Sequence, residues 1–362
     1  MLALARRGHD LRRSVACYTR LHPLVAKVSV KILSVPLLLL LFPSLASAQA
    51  GAPVFDVHLH ANAADSEGPP PLGMCVPFRD FGAWDPAEPY AETFMRLMKE
   101  PPCDDPVWSA MTDSEVRDLT IDAMARRNVF GVLSGTTGRV SDWQDAAPGR
   151  FLRGLSFNVA TTQISPDSLR QLVDAGLVDV LAEVTNQYSG VAPSDPRMAP
   201  YWALAEELDL PVGIHIGTGP PGVRYLGPEG YRAELHSALT LEPVLVRHPR
   251  LRVYVMHAGW PMIDDLLALL YVHPQVYVDI GVIVFTSPNF DEYLQRIVSA
   301  GFSKRVMFGS DQMVWPDVIE RSIERIEAAP YLTEDQKRDI LYNNAARFFR
   351  FTPAELARHG GP

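Results

Sequence analysis

The sequence has no surplus of positive charge, no short internal repeat, no low-complexity tract, no apolar run long enough to cross a bilayer comfortably, and only three cysteines. These shortages narrow the field. With 33 Lys and Arg against 42 Asp and Glu, the formal charge is −9, so the basic surface that nucleic acid demands is missing. What the chain does have is apolar residues, nearly half of the total of 362. That is enough to bury a large core but short for several independent domains, and one domain with insertions is expected.

At the N-terminus Arg6, Arg7, Arg12, Arg13, Arg20, Lys27 and Lys31 precede an apolar run from Val35 to Phe42, followed by Ala46-Ser47-Ala48. A basic stretch, a short apolar stretch and small residues in that order describe a secretory signal peptide over residues 1–48. The apolar run is too short for a comfortable span, so cleavage after Ala48 is expected and stable membrane insertion is not. An uncleaved anchor is the alternative. Export places the protein in the periplasm or outside the cell. Losing residues 1–48 removes seven basic residues and Asp10, which moves the formal charge from −9 to −15. Cys17 leaves with this segment, and Cys75 and Cys103 remain. In an oxidising compartment two thiols this near in sequence can pair, and a Cys75–Cys103 disulfide is predicted, with two unpaired loop thiols as the alternative.

From Val54 onward short β-branched runs alternate with amphipathic stretches, the pattern of repeated β-α units around a parallel sheet. Eight runs are counted: Val54–His58, Val129–Leu133, Leu155–Val159, Val180–Val184, Val212–Ile216, Val253–His257, Val276–Ile280 and Val306–Gly309. Several are apolar throughout, as strands covered on both faces should be. Helical periods lie between them. Tyr201, Leu204, Ala205 and Leu208 recur after Pro196, Ile319, Ile323 and Ile326 after Pro316, and Val116, Leu119 and Ala123 after Thr112 or Asp113. The reading is an α/β fold, a (β/α)8 TIM barrel over residues 53–352. An open doubly wound sheet is the alternative, and the clustering of polar residues at strand C-terminal ends decides for the barrel. Residues 61–111, rich in Pro, Gly and aromatics, are too long for an ordinary connection and should form a cap-like insertion after the first strand. Gly217 to His236 is a second long loop.

The first strand, Val54-Phe55-Asp56-Val57-His58-Leu59-His60, sends two imidazoles to the same side. Taken alone, that pair suits a structural role as well as it suits a metal. Ligand-type residues then recur at later strand ends: Glu183, His215, His257 and Asp311. A buried charge or imidazole needs a partner or a metal, and four further strands ending this way meet that need together if they face one cavity.

The order H-x-H, a later His, a second His followed by Ala258-Gly259, and Gly309-Ser310-Asp311 resembles the amidohydrolase superfamily and, more narrowly, the amidohydrolase-related family. The resemblance spans the mature chain, including Val255-Met256-His257-Ala258-Gly259-Trp260-Pro261 and Ile340 to Phe348. It implies that His58, His60, His215 and Asp311 bind a divalent metal, zinc first, with manganese or iron also suited to such ligands. His257 would be a second-metal ligand or a proton-transfer group. Related binuclear enzymes bridge two metals with a carboxylate or a carbamylated lysine at the end of the fourth strand; no lysine is available here, and Glu183 would bridge. A carboxylate that only orients a ligand histidine is the alternative. Asp311 would act as the base towards water, and His257 would stabilise an oxyanion.

Beyond the strand ends, Tyr188, Trp260 and Arg224 are candidates for substrate binding, Arg224 for a substrate carboxylate. Trp315 could line the pocket or pack under the cap. The glycine-rich stretch beside Arg224 does not match a phosphate-binding fingerprint. His248 and His273, each before a proline, should end helices at the opposite face, and His236 is expected at the surface. The leading reading is a hydrolase that uses activated water on an amide, cyclic amide, lactone or ester of a small molecule. A non-oxidative decarboxylase of a small carboxylic acid is the alternative, and a non-catalytic barrel binding protein the remote one. One metal favours the decarboxylase and a Glu183-bridged pair favours hydrolysis. Self-association into a homo-oligomer stays open.

Overall fold

Eight parallel strands, β1 Val54–His60, β2 Val129–Gly135, β3 Phe151–Leu155, β4 Leu181–Val184, β5 Val212–His215, β6 Val253–Met256, β7 Tyr277–Asp279 and β8 Val306–Met307, succeed one another in chain order around a barrel. The molecule is described by a computed structural model covering residues 51–360 apart from 81 and 228, and the segment read as a signal peptide lies outside the described residues. Strands β1–β3 pair in sequence, as do β4–β8, all parallel. Bridges from Gly154 to Val180 and from Phe157 to Val184 join the two groups. The ring closes where Val57 N–H donates to the Phe308 carbonyl at 2.9 Å and Asp311 N–H to the His58 carbonyl at 2.8 Å.

Two apolar layers hold this ring. The larger lies between strands and helices and takes in Leu59, Val116, Ala123, Ile319, Ile323 and Ile326. The smaller fills the barrel beneath the strand C-terminal ends with Phe55, Val57, Val132, Ala182, Tyr254 and Met256. Tyr254 crosses the interior from β6 to donate its hydroxyl to the Val57 carbonyl at 3.1 Å. A Cβ at position 213 would stand 2.5 Å from that hydroxyl, so β5 carries glycine there.

Two expected elements shift. The third strand is Phe151–Leu155, not Leu155–Val159: beyond Leu155 the pairing is reduced to an isolated bridge at Phe157, and Val159 N–H is held by the Asn186 side chain. Arg153 hid the strand, because its side chain leaves the apolar pattern to bind Asp179 on the outer face. In the helix Asp113–Arg126 the buried face is Val116, Thr120, Ala123 and Met124, whereas Leu119 is 48% exposed. A stripe at i, i+4, i+7 and i+8 is as helical as the expected one, and Thr120 concealed it by being polar.

The insertion after β1 carries a turn, an antiparallel pair of two-residue strands (Gly73–Met74 with Val107–Trp108) and the helix Tyr90–Lys99. A disulfide joins Cys75 to Cys103 within it. The Trp315 indole N–H, from beyond β8, donates to the Leu72 carbonyl at 2.9 Å, so Trp315 packs beneath the insertion. The insertion also meets the long loop after β5. Tyr90 donates to the Pro221 carbonyl at 2.8 Å, the Trp84 ring lies tilted against that of Tyr225 at 4.7 Å, and Gly222 leaves room that a Cβ would take from the Tyr90 ring.

At the opposite face the helix Pro353–His359 closes the barrel floor. His248 and His273 cap the C-terminal ends of the helices Glu242–Arg247 and Ile263–Val272. His359 is buried against Phe130, its Nδ1 3.0 Å from the Tyr342 hydroxyl. Burial, with the nearby Arg358 charge, lowers its pKa from 6.5 to about 4. The neutral form is thus the folded form. Stability from this group is complete above pH 6.5, falls as pH drops because the unfolded chain takes up the proton first, and is gone below about 4. Chemical denaturation at pH 7 and pH 4.5 is expected to show a His359→Gln variant losing less stability on acidification than the wild type, by about 1–3 kcal/mol. Equal acid sensitivity in both would refute this.

Candidate active site

Every predicted ligand stands at the C-terminal end of a strand, and two bulges aim the most important of them. Register slips between Asp56 and Leu59 in β1 and between Leu181 and Val184 in β4. Each slip lets two successive residues face inward. Val57 completes the apolar filling and His58 begins the polar site; Ala182 and Glu183 repeat the device. Non-glycine residues in the left-handed region gather at the same rim: His257, Ala258, Val282, Asp311 and Met313. Strain of this kind persists where the surroundings over-determine a functional geometry.

His58, His60, Glu183, His215, His257 and Asp311 converge and are buried. His60 Nε2 is 2.9 Å from Asp311 Oδ1 and 3.7 Å from Glu183 Oε2. His58 Nε2 faces Asp311 at 3.6 Å and Glu183 at 3.9 Å. On the other side of Glu183, His215 Nδ1 makes a close contact with Oε1, and His257 Nε2 is 3.5 Å from the same oxygen and 2.9 Å from His215 Nδ1. Glu183 is therefore shared by two donor sets, His58/His60 and His215/His257.

The outward nitrogens of three histidines are already engaged. His58 Nδ1 meets Asp279 Oδ2 at 3.1 Å, His215 Nε2 meets the Gly217 carbonyl at 3.0 Å, and His257 Nδ1 meets the Gly281 carbonyl at 3.0 Å. That pins each ring with its other nitrogen aimed at the centre. His58 Nε2 is fully buried and has no hydrogen-bond partner. An orphaned imidazole nitrogen facing two carboxylates, with two further imidazoles nose to nose across one of them, fits a divalent cation.

The charges agree. Burial alone would depress His58, but Asp311, Asp279 and Glu183 outweigh it and lift its pKa to about 10. Burial would raise Glu183 and Asp311, yet the adjacent imidazoles hold both below the ordinary carboxylate range. His215 is pushed down by burial and by His257. A cation held there would take the place of the proton that these carboxylates keep on His58.

Of the residues predicted to touch substrate, Tyr188 is at the site, its ring 4.5 Å from that of His215. Trp260 follows His257 closely; its carbonyl accepts from Thr218 N–H at 3.2 Å, and its indole nitrogen has no partner among the described residues. Arg224 is exposed on the turn Val223–Tyr225, away from the histidines' direct contacts. His236 is corrected: it is fully buried, with ring centroids 5.6 Å from His215, 5.7 Å from Tyr188 and 4.9 Å from Tyr231. The loop folds back over the rim and carries it inward, and burial lowers its pKa to about 3.

Several residues escaped the sequence reading. Asp279 holds His58 and accepts from His257 N–H at 3.0 Å and Gly281 N–H at 2.8 Å. Asp56 accepts from His58 N–H and Ser310 N–H, so it ties the β1 bulge to the turn that presents Asp311. Gln312 exchanges two hydrogen bonds with the His60 backbone. An aspartate inside an apolar strand, Tyr277-Val278-Asp279, was a signal available for the first of these.

A family model described as amidohydrolase matches residues 55–351. Gamma-resorcylate decarboxylase of Rhodococcus jostii (strain RHA1) is 26% identical over 246 residues, 56% of this chain and 71% of that protein. An uncharacterised TIM-barrel protein from Bordetella bronchiseptica superposes with a TM-score of 0.57 at 19% identity, covering 85% of this chain and 99% of that one. For 5-carboxyvanillate decarboxylase from Sphingomonas paucimobilis the TM-score is 0.52 at 14% identity, with 83% and 100% covered. The two solved structures share the barrel.

Proposed function

Because the chain belongs to the amidohydrolase family, matching its model over residues 55–351, we propose that it is an exported, two-cation hydrolase of an amide, cyclic amide, lactone or ester bond in a small molecule. The observation that carries this is Glu183, shared between the His58/His60 and His215/His257 sets. His58, His60, Glu183 and Asp311 would hold one cation, and Glu183, His215 and His257 the other. Nitrogen and carboxylate donors suit zinc. When bound, divalent cations supply Lewis acidity, lowering the pKa of water from about 15.7 to roughly 7 and polarising a carbonyl. Asp311 accepts the proton of the attacking water and returns it to the leaving group. The aromatic rings of Tyr188 and Trp260 border the space left for the substrate.

A second reading, non-oxidative decarboxylation, is the one the relatives favour, since the curated protein at 26% identity is a decarboxylase. In that case the substrate is a small carboxylic acid and one cation suffices. Elemental mass spectrometry on protein purified without chelator separates the two. Two cations per chain, falling to one or fewer in Glu183→Ala, support the bridged hydrolase. One cation, unchanged in the variant, refutes it and directs the search to carbon dioxide release.

A further inference from the structure

The seam where β8 meets β1 carries His58, His60 and Asp311, and only part of it is held by backbone. β8 ends at Met307, and the Phe308 N–H already turns away to donate to the Ile340 carbonyl at 2.9 Å. Two backbone bonds still cross beyond that point, from Val57 N–H to the Phe308 carbonyl at 2.9 Å and from Asp311 N–H to the His58 carbonyl at 2.8 Å. β1 runs on to His60, and there a side chain continues the ladder. Gln312 Oε1 accepts from His60 N–H at 3.0 Å, and Gln312 Nε2 donates to the His60 carbonyl at 2.7 Å. Gln312 is fully buried. A primary amide offers an acceptor and a donor side by side in one plane, as a peptide edge does, so Gln312 stands in for the strand residue that β8 lacks.

The main chain is occupied with a different task at this point. Asp311 at φ +54° and Met313 at φ +45° flank Gln312 in the left-handed region, so the chain leaves strand geometry on both sides of it. The turn at Asp311 brings its carboxylate to His60, with Oδ1 2.9 Å from Nε2. Gln312 is fixed at both ends, its side chain on His60 and its carbonyl on the Trp315 N–H at 2.6 Å. A residue that is bonded to Asp311 through the chain and to the His60 backbone through its side chain sets the spacing of those two groups. The His215/His257 set takes its alignment elsewhere, from Gly217, Gly281 and Asp279.

We propose that Gln312 is a positioning residue that holds His60 and Asp311 in mutual register for one cation, the one assigned to the His58/His60 set. The proposal rests on the cation-binding reading of the site, and its restriction to one of two cations rests on the two-cation hydrolase.

Competition with a chromogenic chelator on the zinc-loaded mature protein makes the test, on wild type, Gln312→Met, Gln312→Asn and Ile323→Ala, with thermal unfolding midpoints measured alongside. Methionine keeps the length of glutamine and offers His60 neither bond. Asparagine keeps the amide but is one methylene too short to reach both groups, so it carries the test if methionine is not tolerated. Ile323→Ala removes packing from the buried outer layer and reports what a loss of stability alone does. In both Gln312 variants one zinc is expected to bind about 10- to 100-fold more weakly, with the second zinc unchanged and both unchanged in Ile323→Ala. Wild-type affinity in both Gln312 variants overturns the positioning role, as does an equal loss in Ile323→Ala or equal weakening of both zinc ions. A wild type that binds one zinc overturns the two-cation hydrolase. The positioning role then stands if that zinc weakens in the Gln312 variants and falls if it does not.

Discussion

Exchanging Asp311 for asparagine is expected to lower turnover by about 10²- to 10⁴-fold while the thermal unfolding midpoint stays within a few degrees of wild type. Asparagine is the right probe because Asp311 sits at φ +54°, a left-handed conformation that Asn tolerates and Ala does not. The Asp311 N–H bond to the His58 carbonyl, which closes β8 onto β1, survives the exchange. What is lost is a carboxylate that His58, His60 and His257 hold ionised against the cost of burial. Without it no group on β8 takes the proton of the attacking water. His58→Ala serves as the comparison: it removes an imidazole from the His58/His60/Glu183 set, so its loss of activity should come with loss of bound cation. Full turnover in both variants would sink the assignment of the site.

The barrel was legible because its information is periodic: apolar runs mark strands and a 3.6-residue stripe marks helices, whatever the loops do. The convergent cluster was legible for a related reason, since His58, His60, Glu183, His215, His257 and Asp311 are polar residues punctuating apolar strands. Arg153 and Thr120 misled where a single polar side chain interrupted that pattern. The two bulges were not legible at all. One extra residue in β1 and one in β4 decide which side chains face inward, and register is a property of strand pairs rather than of either strand's sequence. His236 was misplaced because its burial depends on the path of a long loop, and loops carry no period. Asp279 was overlooked because a lone aspartate in a strand becomes informative only when His58, 221 residues away, is found against it.

Asp279 yields the second large effect: Asp279→Asn should weaken cation binding by about 10- to 100-fold, read by competition with a chromogenic chelator. The aspartate grips both donor sets, His58 through its ring at 3.1 Å and His257 through its backbone N–H at 3.0 Å. Its surroundings leave it no alternative place. A Cβ at Gly281 would lie 2.6 Å from His58 Nδ1, and one at Gly309 would lie 2.9 Å from His58 Cβ, so both neighbours are glycine. In the asparagine variant the amide oxygen can keep the bonds from His257 and Gly281, which preserves the fold. The amide nitrogen then faces His58 Nδ1 and donates to it. That forces the His58 proton onto Nε2, the nitrogen that must offer its lone pair to the cation. The variant therefore separates orientation from packing: a merely structural Asp279 would shift the unfolding midpoint and leave affinity alone, whereas an orienting one shifts affinity at nearly constant stability. Wild-type affinity in Asp279→Asn would refute the orienting role.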